Sequence, residues 1–156
     1  MFSFSKDIQQ VLHKCGWHAD RCVDISECVS DLEKSGVTVV PPAIKILKNF
    51  YGLKITPPHR SRPKLTAESL YFDPYFAYGG ELDRLLFYQE VILCSVTPLA
   101  EVGGGAILII SEIGKVYIAF GDHIWLSGDS FIDALENTLI LPKNLSEKIY
   151  PKNHTI

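Results

Sequence analysis

The spacing of apolar residues changes partway along this chain, and that change constrains the fold more than any single motif. Up to Phe50 the apolar positions recur at helical spacing. From Ala106 they fall into short branched and aromatic runs joined by tight turns. Ile8, Val11, Leu12 and Cys15 mark one helical face, with Ser5 as N-cap and Gly16 as stop. Ile25, Cys28, Val29 and Leu32 repeat the pattern in a second helix, where Asp24 and Glu27 read as a capping box. Val37 to Val40 is extended and runs into Pro41-Pro42, a favoured helix start. Ala43, Ile46, Leu47 and Phe50 then mark a third helix, ended by Gly52.

The middle of the chain is less regular. Leu53–Thr56 and Glu68–Asp73 read as strands on either side of the proline-bounded loop Pro57–Lys64. Tyr75–Gly80 is aromatic and fits no single period. Glu81 to about Cys94 reads as a helix with Leu82, Leu85, Leu86 and Gln89 on one face, although Val91-Ile-Leu fits the start of a strand equally well. Ala106–Ile110, Val116–Phe120 and His123–Leu126 form a β-meander. A last helix, Ser130 to Leu139, opens on Ser-x-x-Asp, and from Pro142 the chain reads as a loose polar tail. Helices do not alternate with strands, which predicts an α+β fold with a mainly antiparallel sheet. A single domain over 1–142 and a polar tail over 143–156 account for the 156 residues.

Charge and composition set aside several functions. Lys and Arg number 15 against 18 Asp and Glu, a net charge of −3, which suits non-specific nucleic-acid binding poorly. No apolar run approaches a bilayer span, and Met1-Phe-Ser-Phe-Ser-Lys-Asp is not a secretory start, so a cytoplasmic location is expected, with Cys15, Cys22, Cys28 and Cys94 as free thiols.

Reactive chemistry is hard to assemble. His13, Cys15, His18, Cys22 and Cys28 crowd together but lack a paired metal-ligand spacing, and Cys15 and Cys28 fall on apolar faces. Gly103-Gly-Gly105 lacks the lysine and preceding strand of a phosphate loop and reads as a hairpin turn. There is no Gly-x-Ser-x-Gly, His123 beside Asp122 suits a turn, and Glu68 with Asp73 suits solvated carboxylates. The reading is therefore of a non-enzyme, with no catalytic, cofactor-binding or metal residue assigned.

The charge is locally uneven. Asp20, Asp24, Glu27, Asp31 and Glu33 are acidic, and His59–Lys64 is basic. Glu27 and Asp31 lie four apart, sharing a stripe with Asp24 that reads as a cap plus a solvated face or as a docking surface for a basic protein. Of Tyr71, Phe72, Tyr75, Phe76 and Tyr78, some belong to the core and the exposed ones suit interface anchors. The candidate partner-binding residues are Asp24, Glu27, Asp31, Glu33, Tyr75, Phe76 and Tyr78.

One order of motifs runs from Gly16 to Leu141: Gly16-Trp17-x-x-x-Arg21-x-Val23-Asp24, then Leu47-Lys-Asn-Phe50-Tyr-Gly52-Leu53, then Phe72-Asp73-Pro74. Val96-Thr-Pro98-Leu99-Ala100, Gly114-Lys-Val116-Tyr117 and Gly128 before Ala134-Leu135-Glu136 complete it. This order resembles the SUKH superfamily of bacterial immunity proteins, most closely its third subfamily. Ser111 stands where the family often has Asp. The resemblance implies N-terminal helices and a C-terminal helix packed on the sheet. It also implies a cognate polymorphic or contact-dependent toxin, of nuclease or deaminase class, as partner, neutralised by stoichiometric binding. The shared residues look structural, Trp17 as a packed aromatic with Arg21 beside it. A regulatory scaffold of the same superfamily, or a small-molecule binder with a pocket near Asp73, are the alternative readings.

Overall fold

The computed structural model describes residues 2–57, 69–140 and 148–151. Three helices come first: α1 (Lys6–Lys14), α2 (Ser26–Lys34) and α3 (Pro41–Phe50). Two short strands follow, β1 (Lys54–Ile55) and β2 (Leu70–Tyr71), then α4 (Pro74–Tyr78) and α5 (Leu82–Ile92). The meander is β3 (Val96–Val102), β4 (Ala106–Ser111), β5 (Val116–Phe120) and β6 (His123–Gly128). Helix α6 (Phe131–Leu135) passes into a π-helical turn, Glu136–Ile140, and β7 (Lys148–Tyr150) closes the order. The seven strands make one sheet in sequence order with every neighbour antiparallel, so the fold is α+β.

Local chemistry explains the helix ends. The Ser5 hydroxyl accepts from the Ile8 amide, and the Ser130 hydroxyl from the Asp133 amide, each satisfying a first-turn donor. Prolines open α3, where a missing amide proton costs nothing. The second helix departs from expectation. Its N-cap is Ile25, and Asp24 Oδ1 instead accepts from the Ser26 amide and hydroxyl at 2.9 and 2.6 Å. Ser26 lies closer than Glu27 and takes the carboxylate, so no capping box forms.

The core has an aromatic centre. The Phe50 ring lies 5.1 Å from Phe72 and from Phe131, 6.0 Å from Phe4 and 6.1 Å from Trp17. These rings come from α3, α6, the chain before α1 and the segments after α1 and β2, so one buried side chain ties several elements together. Offset and edge-on ring pairs each add roughly 0.5–1.5 kcal/mol beyond area burial. Val96 to Ala100 and Ile107 to Ser111 are buried at every consecutive position. Side chains alternate across a strand, so both faces of the sheet's centre are covered.

Three elements differ from the sequence reading. Strand β3, the longest, carries no alternating pattern because both its faces are buried, and Pro98 argues against a strand. The proline sits where the register with β4 shifts, a bulge that tolerates it. Residues 148–150 pair with β6 rather than trailing as a loose tail: β6 offers unpaired backbone groups, and Tyr150 docks its ring 5.3 Å from Phe87. On α5 the buried positions are Leu85 and Tyr88, while Leu86 is exposed. Where Asp was expected before the β4–β5 turn, the Ser111 hydroxyl accepts from the Lys115 amide at 3.2 Å and closes the turn.

Candidate partner-binding surface

Helix α2 packs beside α4, so the segments that carry the acidic and the aromatic candidates are neighbours in the fold. Asp24, Glu27 and Asp31 are exposed along α2, since the opposite face, Cys28 and Leu32, is buried. Glu33 is exposed as well, but it lies two positions past Asp31, roughly 200° around the helix, and so off that stripe. Within α4, Asp73 is the N-cap, its Oδ1 accepting from the Phe76 amide at 3.1 Å. Pro74 and Tyr78 are one turn apart and both buried, which turns Tyr75 and Phe76 outward at 50% and 55% exposure. Tyr78, read as a candidate anchor, is only 3% exposed. Its ring meets Tyr75 edge-on at 5.5 Å, so it supports the surface from beneath rather than forming part of it. Phe76 lies 5.6 Å from Tyr71, with the two ring planes tilted by 60°.

Tyr51, unremarked in the sequence, lies at the junction. Burial raises its pKa first, and the negative charge of Cys28, Asp73, Tyr71 and Glu27 raises it further. Cys28 beneath it is pushed up to about 11 by burial, then by Asp73 and Asp31, with a hydrogen bond from Tyr51 acting the other way. Among the described residues the ion pair is Arg84 with Glu81, on α5, and none of Asp24, Glu27, Asp31 or Asp73 is paired. The basic segment His59–Lys64 and Glu68 lie outside the described residues.

The remaining candidates have structural settings. The Trp17 Nε1–H donates to Asn49 Oδ1 at 2.6 Å. Arg21 donates to the carbonyls of Asn49 and Tyr51 at 2.9 and 2.8 Å, capping the end of α3 where free carbonyls favour a cation. Cys15 packs on the core and Cys28 is buried, whereas His13, His18 and Cys22 are exposed, so the crowd in sequence does not gather in space. Gly103–Gly105 forms the β3–β4 turn. His123 opens β6 and stacks on Trp125 at 5.6 Å. A groove of about 400 Å³ runs beside Arg84, Tyr88 and Phe120, and Asp73 is not among the residues lining it. Among the described residues, no helix is long and apolar enough to cross a membrane.

Helices and a seven-stranded antiparallel sheet define a small α+β domain, and among the described residues no group of His, Cys, Asp and Glu side chains could hold a metal ion. The SUKH-3 immunity protein model matches residues 4–140, and the chain belongs to that family. No curated protein and no solved structure matches it. Membership implies a cognate toxin as partner.

Proposed function

We propose that this protein neutralises a bacterial toxin of nuclease or deaminase class by stoichiometric binding, without chemistry of its own, in the cytoplasm. The α2–α4 face covers a basic active cleft or substrate-binding surface of the toxin. The observation that supports this reading most is the juxtaposition of exposed Tyr75 and Phe76 with the unpaired carboxylates of α2 in a member of an immunity family. Aromatic anchors supply most of the binding energy of such interfaces, and complementary charge speeds encounter.

The test is co-expression with the toxin module encoded beside the gene. Rescue together with a one-to-one complex is expected. Asp24→Asn, Glu27→Gln and Asp31→Asn combined should slow association and flatten its salt dependence. Tyr75→Ala with Phe76→Ala should speed dissociation by about tenfold or more. Rescue without any physical complex would defeat the proposal.

A further inference from the structure

A cavity of about 160 Å³ opens between the chain before α1, the segment after α1, and α3. Phe2 and Trp17 line it with rings, and Arg21, Lys45 and Lys48 line it with three cationic side chains. No carboxylate is among its lining residues. Asn49 fixes the wall. Its Oδ1 accepts from the Trp17 Nε1–H at 2.6 Å, and its Nδ2 donates to the Arg21 carbonyl at 2.8 Å. The Arg21 guanidinium is itself held by the carbonyls of Asn49 and Tyr51, and the Trp17 ring stacks on Phe50 with the planes 26° apart. Lys45 Nζ stands 5.1 Å from the centre of the Phe2 ring. Much of the site is thus ordered before any ligand arrives, which lowers the cost of binding.

The charge around this cavity is not balanced. None of Arg21, Lys45 and Lys48 has an ion-pair partner among the described residues. Two carbonyls satisfy donors of Arg21 without cancelling its charge, and burial lowers its pKa with no carboxylate to offset the effect. Like charges facing one small space repel, and a dianion relieves that repulsion more fully than a monoanion. The volume is well below the roughly 300–1,000 Å³ of drug-sized sites, so it suits one compact group rather than a nucleotide. We propose that the cavity binds a small phosphomonoester, its phosphate held by Lys45, Lys48 and the remaining donors of Arg21, its apolar body against Phe2 and Trp17. Such a phosphate carries roughly −1.5 to −2 charge at neutral pH. A free phosphorylated molecule and a phosphorylated side chain of a protein share this chemistry. The site does not depend on the toxin-binding reading.

The experiment titrates phenyl phosphate into the isotope-labelled full chain at constant ionic strength, with benzoate, the same ring with one charge, as comparison. Saturable shifts of the Trp17 indole N–H and of the Ala19, Lys45 and Lys48 amides are expected. Benzoate should bind about tenfold less tightly. The double variant Lys45→Gln, Lys48→Gln should also bind phenyl phosphate about tenfold less tightly. Both lysines are exposed and glutamine is an equally good helix former, so α3 and its Arg21 cap are kept in this variant. A short peptide with one phosphotyrosine carries the same ring and phosphate and separates the two sources. Binding about tenfold tighter than phenyl phosphate assigns the site to a protein side chain, and equal binding assigns it to a free molecule. Benzoate binding as tightly as phenyl phosphate, no saturation, shifts away from the cavity, or an unweakened variant would each overturn the phosphate site. None of these results bears on rescue by co-expression, so the two proposals fail separately.

Discussion

The Thr97 hydroxyl, near the start of β3, donates to the Thr38 carbonyl at 2.6 Å and accepts from the Val40 amide at 2.8 Å. The stretch before α3 is extended but belongs to no strand, so this one buried side chain supplies partners that a ladder would otherwise provide. Thr97→Val keeps the shape and removes both bonds. The buried Val40 amide is then left unpaired and the part-buried Thr38 carbonyl loses its donor, which costs about 1–3 kcal/mol. Urea unfolding should show that loss, and Thr97→Ser should recover most of it.

Gly128 ends β6 beneath α6. A Cβ there would lie 2.5 Å from the Ala134 nitrogen and 2.8 Å from the Asp133 Cβ. The obstacle is mostly the start of a helix, which cannot rotate away as a flexible side chain can. Gly128→Ala should therefore cost about 3 kcal/mol or more and show as a large fall in melting temperature or in soluble yield.

Leu93 points the other way. It caps α5 with φ 61°, the left-handed region, and is 88% exposed, so it carries the strain of a branched side chain without burying it. Leu93→Gly should stabilise the fold by about 0.5–1 kcal/mol, measured by thermal or chemical unfolding. A loss of stability would mean that the leucine makes a compensating contact.

Cys28 sets an alkaline limit. Its thiol ionises at about 11 in the fold against an ordinary 9.0, because burial comes first and Asp73 and Asp31 add to it. The folded state therefore favours the protonated thiol. That contribution is fully present below pH 9 and is lost as pH rises through 9 towards 11. The stability gap between the natural chain and Cys28→Ala should narrow over that range. A gap that stays constant would show that the thiol does not titrate differently on unfolding.

Local signals carried much of the architecture. Ser5, Pro41-Pro42 and Ser130 mark helix starts through chemistry confined to a few residues, and all three lie where the sequence places them. What failed depended on distant parts of the chain. The strand around Pro98 owes its burial on both faces to elements far away in sequence, and β7 exists because β6 has a free edge. The candidate surface was legible in part. Glu27 and Asp31 followed from helical spacing, whereas Tyr78 could be sorted from Tyr75 only once Pro74 to Tyr78 was known to be helical. Tyr51 gave no signal, since its neighbours Glu27 and Asp73 come from other segments.

Among the described residues, the sheet begins with a two-residue strand and ends with a three-residue one. Stubs of that length give an incoming chain little backbone on which to build another strand. In the proposed binding mode, recognition falls to side chains standing on helices, each replaceable without disturbing the ladder beneath. A scaffold of this kind can change its partner by rewriting a handful of surface positions, while the hydrogen-bonded frame that presents them stays the same.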